Sequence, residues 1–164
     1  MGRPSHCESA TLVSSHKKQD MIADLHPFFV HFPVALYSAA LVIEITRLFK
    51  KDIPNYFSVA LICGGAVMGL ISGLSGDLAS REAERIAGIT STLNNHEFAG
   101  NLMVWIGLIS GFILLLVQLK NKTMPTLRWI IILALFAGVI ITAFWGSQLV
   151  QEFGAGTAII STVQ

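Results

Sequence analysis

The sequence predicts an all-α integral membrane protein, an up-down bundle of four transmembrane helices with both ends on the outer side, N-out and C-out. Three observations carry this. Hydrophobic residues make up 53% of the 164 and charged residues 13%, against roughly 25% charged in soluble domains. Mean hydropathy is +0.65. Four stretches, 28–49, 57–79, 98–119 and 129–150, each reach the roughly 20 apolar residues that cross a bilayer as a helix. No segment alternates in polarity as a barrel strand does.

The elements follow in order. The opening "MGRPSHCESATLVSSHKKQD" lacks the apolar core of a secretory signal. Residues 1–23 are therefore expected to be a flexible polar tail, with the membrane domain over 24–157 and a second short tail over 158–164. His6 and His16 belong to the first tail. Cys7 lies in that tail and Cys63 in an apolar run, so neither a disulfide nor a metal site is expected of them. Cys63 reads as a small buried hydrophobe.

The first span opens on "LHPFFVHFP" and ends before "KKDIPNY". The longer connector "SREAERIAGITSTLNN" offers Asn94 and Asn95 as N-caps for the third helix. "KNKTMPT" separates the third and fourth spans, and Gly154 in "EFGAGT" is expected to end the last helix. Short connections make sequential helices antiparallel neighbours.

Orientation follows from lysine and arginine. Arg47, Lys50 and Lys51 share one face of the membrane with Lys120, Lys122 and Arg128, and that face should be cytoplasmic. On the other face Arg81 and Arg85 are diluted by Glu82 and Glu84. The net charge of +1 points to no nucleic-acid partner.

This topology gathers polar groups at the outer end. His26 and His31 enter there, Asp77 exits there, and His96, Glu97 and Asn101 enter there, with Trp145, Ser147 and Gln148 leaving. Every histidine outside the tail falls in this layer. In the other half Glu44 is the one intramembrane acid, placed to pair with Arg47 at i+3. Ionisable groups at membrane depth are costly and point to function.

His31 and His96 are the expected metal ligands. In a sequentially arranged bundle the first and third helices are diagonal, and these two histidines sit at similar heights. Imidazoles from facing helices hold haem b in this way. Pro27 is expected to hold His26 ahead of the helix, in a surface or ligand-orienting role shared with Asp77; the pair could also bind propionates, through the histidine, or relay protons. Gly69 and Gly73 on the second span and Gly100 on the third belong to stripes of small residues with room for a flat cofactor. Such stripes equally serve close helix packing, so both readings stand.

Other chemistries are weaker. His26, His31, His96 and Asp77 could supply a non-haem metal, without a known ligand spacing. His26, Asp77 and Gln148 could bind a quinone. Ser75 and Ser147 sit in no nucleophile elbow, and "EFGAGT" follows a helix, unlike a dinucleotide fingerprint. Four spans without an internal repeat give no transport route. A non-catalytic subunit that binds partners in a respiratory or photosynthetic complex is the main competitor to a redox subunit, and neither is a stand-alone enzyme.

The stretch "LHPFFVHFPVAL", residues 25–36, resembles the L-H-P-x-x-V-H-F-P-[IV]-A-L signature of a prokaryotic membrane family of unknown function. The resemblance continues through "GLSGDLA", the histidine of "NNHEFAGN" and "WGSQLVQEFGAG", over about 24–157. Family members close on G-G-x-L-V-Y-x-x-G-x-G, from which Ser147 and Gln151 depart. The resemblance implies a four-helix domain of the prokaryotic inner membrane, associated with periplasmic redox proteins of the cytochrome c or Rieske kind. It marks His26, His31, Asp77 and His96 as motif positions.

Overall fold

The computed structural model describes residues 25–155. The two expected tails lie outside them, apart from Asp24 and the last residues of the expected domain, which are likewise not described. The described residues form a short helix α1 (His26–Phe29), then α2 (His31–Phe49), α3 (Tyr56–Ala83), α4 (Thr90–Leu119) and α5 (Pro125–Phe153). α1 and α2 run as one 24-residue span, His26–Phe49. They part at Val30, which keeps right-handed helical angles (φ −63°, ψ −24°). Pro33 supplies the reason for the break: without an N–H it cannot bond the carbonyl four residues back.

All four long spans are apolar enough to cross a membrane. Their outer faces are apolar as well. On α4, Phe98, Trp105, Phe112 and Leu119 recur every seven residues and are 63–73% exposed. In water such a stripe would be a large apolar patch; in a bilayer it faces lipid. Three hydroxyls along the spans bond within their own helix. Thr46 donates to the Val42 carbonyl (2.7 Å), Thr142 to Gly138 (2.9 Å) and Ser147 to Phe144 (2.8 Å), because no water is available there.

Each helix packs on its sequence neighbours, and α2 closes the ring against α5. The diagonal pair α2 and α4 is thus held apart across the core, as the up-down topology requires. The bundle has an arginine end, where α2 stops and α3 starts, and a histidine end, where α3 stops and α4 starts. Trp129 and Trp145 on α5 are separated along the axis by about 24 Å, a spacing that suits the two interfaces of a hydrocarbon core of roughly 30 Å.

Two helices are longer than the hydropathy suggests. α3 continues to Ala83, and α4 begins at Thr90 with Ile89 as its cap residue. Asn94 and Asn95 are therefore exposed residues inside the helix, not its caps. The polar connector hides an apolar face: Ile89, Leu93 and Leu149 are buried together, with Ala83, Ile86, Phe153 and Ala155 around them. That cluster pulls the segment into helix. At the far end Gly154 closes α5 as expected, in a left-handed conformation (φ 65°) that favours glycine.

The main core lies toward the arginine end, built from Tyr37, Ala40, Val59, Ile62, Leu114, Ile131, Ile132 and Leu135. Tyr37 reaches across the bundle from α2 and wedges between Gly65 of α3 and Gly107 of α4. Gly111 packs on Cys63 and Ala66. These members of the small-residue stripes therefore admit close packing. Cys63 is a half-buried free thiol facing the Gly111 carbonyl (3.5 Å), in keeping with its reading as a small apolar filler.

At the arginine end the expected Glu44–Arg47 pair forms, at 2.9 Å. It belongs to a wider cluster. Glu44 also accepts from Ser58 Oγ (2.5 Å) and pairs with Arg128 Nε (2.8 Å). Asn55 Oδ1 accepts from both guanidinium groups, Arg47 and Arg128. One buried carboxylate thus ties α2, α3 and α5 together.

Candidate functional site

Between the main core and the apolar cluster at the histidine end lies a layer of different composition. Over α1 with the start of α2, the last half of α3, and the facing parts of α4 and α5, the fully buried residues are Ser72 and Ser75. Among the described residues no large apolar side chain is fully buried at this level. His26 and His96 occupy it, both half-buried.

His26 comes from α1 and leans on α3. Its Nδ1 lies 3.1 Å from the Ser72 carbonyl and 3.1 Å from Ser75 Oγ. A carbonyl only accepts, so Nδ1 carries the proton. Ser75 Oγ in turn donates to the Ser72 carbonyl (2.9 Å). The ring sits over Gly76, where a Cβ would stand 3.0 Å from its Cε1.

His96 repeats this arrangement on the other side of the bundle. It comes from α4 and leans on α5, with Nδ1 3.2 Å from the Thr142 carbonyl. Its ring sits over Gly146, where a Cβ would stand 3.2 Å from Cε1. Each imidazole therefore has its Nδ1–H fixed by a neighbouring helix and its Nε2 lone pair uncommitted. A backbone bond of this kind sets the tautomer and aims the ring of a metal-binding histidine.

His31 stands apart from this pair. It is exposed, and its ring bonds the carbonyl of Pro27 one turn back on its own span (2.5 Å). Of the two histidines on this span, His26 and not His31 is half-buried as His96 is. The reason is helical: five residues rotate a side chain by about 140°, so one span cannot turn both histidines inward. Pro27 does not hold His26 outside. The helix starts at His26 with Leu25 as its cap residue, and Pro27 occupies the first turn, where its missing N–H costs nothing.

The other expected site residues separate as well. Asp77 is exposed, and its backbone carbonyl caps the hydroxyl of Ser80. Gln148 is half-buried near the cluster of Ile89 and Leu149. Among the described residues no three of His, Cys, Asp and Glu come together as a metal-binding group, so the expected four-residue non-haem metal site does not assemble. Of the small residues, Gly73 meets Val104 of α4 (3.2 Å for an added Cβ), whereas Gly69 and Gly100 have nothing within 4 Å. Their flanks are open space.

Sequence reasoning missed Ser72, Gly76 and Gly146, and weighed Ser75 only as a nucleophile. The cue was present in "SGLSG" and "WGSQ": a glycine that can seat a histidine ring from the neighbouring helix. It becomes legible only once helix register is known.

The geometry defines a class: a four-helix membrane protein with two half-buried imidazoles toward one end. The chain belongs to the family described as predicted membrane protein (DUF2231), whose model matches residues 23–159. No curated protein and no solved structure matches it.

Proposed function

We propose that this protein is a membrane-embedded redox subunit whose histidine end would hold haem b through His26 and His96. The observation that carries the reading is the matched pair of anchors. Two imidazoles from helices on opposite sides of the bundle each spend Nδ1–H on a backbone carbonyl and keep Nε2 free. A bare metal needs three or four protein ligands. A haem iron brings four nitrogens of its own and asks for two more, and two is what the layer supplies.

The surroundings fit a flat apolar group. The space beside Gly69 and Gly100 is open, and among the described residues no large apolar side chain is fully buried at that level. The cluster of Ile89, Leu93 and Leu149 lies between the histidines and the aqueous end, where it excludes water. When bound, haem supplies one-electron chemistry. The chain's residues do the rest: His26 and His96 bind, Ser72 and Thr142 carbonyls orient, and Gly76 and Gly146 leave room for the rings.

By the positive-inside pattern the histidine end faces outward. The reading therefore places electron exchange at the periplasmic side of a prokaryotic inner membrane, with partners of the cytochrome c or Rieske class. Haem analysis of the protein purified in mild detergent tests it: the expected result is equimolar haem b. Protein that is folded, lacks haem and takes up none on titration with haemin would overturn it.

A further inference from the structure

A groove of about 400 Å³ runs between α1 and α3 at the histidine end, lined by Leu25, Phe29, Ile71, Leu74, Ser75 and Leu78. Five of the six are apolar. Leu25, Ile71 and Leu74 are exposed, so the groove opens sideways, toward lipid in a membrane. Its volume is within the range of roughly 300–1,000 Å³ typical of small-molecule sites. Ser75 is its one polar residue and is 2% exposed.

The hydrogen bonds of Ser75 say what it can still take. A serine hydroxyl has one proton to donate and two lone pairs to accept with. Its proton goes to the Ser72 carbonyl (2.9 Å). The one Nδ1–H of His26 is shared between this oxygen (3.1 Å) and the Ser72 carbonyl (3.1 Å). The oxygen keeps a free lone pair, so Ser75 can accept from a ligand O–H but has nothing to give a ligand carbonyl. A molecule that suits the groove is apolar, arrives from the bilayer and carries a hydroxyl on its head.

We propose that this groove binds the head of an isoprenoid hydroquinone, with a phenolic O–H donated to Ser75 Oγ. The shape and the free lone pair call for an apolar hydroxyl compound. Choosing a hydroquinone among such compounds rests on the redox reading above, since Ser75 bonds directly to His26. The bound head would stand one hydrogen-bonded residue from that imidazole. The same lone-pair count disfavours the oxidised quinone, whose carbonyls need donors.

Photolabelling of the full chain in phosphatidylcholine nanodiscs tests this, using a photoreactive short-chain hydroquinone under anaerobic conditions. Labelling should saturate and map to peptides of α1 and α3. Unlabelled hydroquinone should compete about tenfold better than the matching quinone, the worth of one neutral hydrogen bond. Leu74→Trp fills the groove from an exposed position and should abolish labelling. Ser75→Ala should weaken it by about tenfold. Labelling that fails to saturate, survives Leu74→Trp, or is competed equally by quinone or by diacylglycerol would overturn the proposal. His96→Ala separates the two readings: it should remove any haem signal and leave labelling intact.

Discussion

The imidazole of His96 rests on the backbone of Gly146, and a Cβ at that glycine would come within 3.2 Å of the ring's Cε1. His26 rests on Gly76 in the same manner, at 3.0 Å. Two glycines on two helices thus act as seats for two histidines from two others. This explains why the glycines near the histidine end differ from those deeper in the bundle. Gly65 and Gly107 are filled by Tyr37, whereas Gly76 and Gly146 are filled by imidazole.

The seats make a first prediction. Gly76→Val and Gly146→Val push the rings off their carbonyl anchors. Each should lower haem affinity by about tenfold or more, the equivalent of a lost hydrogen bond. Gly64→Ala, where an added Cβ meets only Leu36 at an ordinary 3.7 Å, should leave both fold and affinity close to wild type. Haemin titration of the purified variants, with helicity measured alongside, checks this. Equal affinities across the set would show that the seats do not hold the ligands.

The arginine end makes a second. Glu44 is 2% exposed and is contacted by Arg47, Arg128 and Ser58. Removing one member of a buried ion cluster strands the rest, at about 3–5 kcal/mol. Glu44→Ala should be destabilised on that scale in detergent unfolding. Combining it with Arg128→Met should cost less than the two changes summed. Haem content of the surviving folded fraction should not change, since the cluster sits at the other end of the span. Additive costs would mean the three helices are not tied through this carboxylate.

Tyr37 makes a third. It is buried at 3% exposure; its ring packs over Gly65 and its hydroxyl oxygen lies over Gly107, a packing contact and not a hydrogen bond. Tyr37→Phe should shift unfolding by no more than about 0.5 kcal/mol in either direction. Gly107→Ala should cost about 1–3 kcal/mol by overpacking. A large loss in Tyr37→Phe would show that the hydroxyl has a partner in the membrane.

Much of the fold is legible in the sequence because bilayer solvent leaves a coarse signature. Long apolar runs and short basic connectors announce four antiparallel spans, and Gly154 announces the end of the last one. The site is less legible. Hydropathy places His26 and His31 at the same depth but says nothing of direction. The rotation of about 140° between them decides which one faces the core, and the start of the helix at His26 sets that phase. The early start of α4 at Thr90 is hidden because the apolar residues that pack there, Ile86, Ile89 and Leu93, are few among polar ones, and their counterpart, Leu149, lies far along the chain. The same distance hides Arg128 from Glu44. Local spacing finds Arg47 but cannot find a guanidinium from another helix.

The reduced-minus-oxidised absorption spectrum of the purified protein and three single variants tests the central claim most directly. The account predicts a b-type haem band in the wild type, lost in His26→Ala and in His96→Ala, and kept in His31→Ala, whose ring lies on the exposed face. A band that survives both His26→Ala and His96→Ala, or that vanishes with His31→Ala alone, would contradict it.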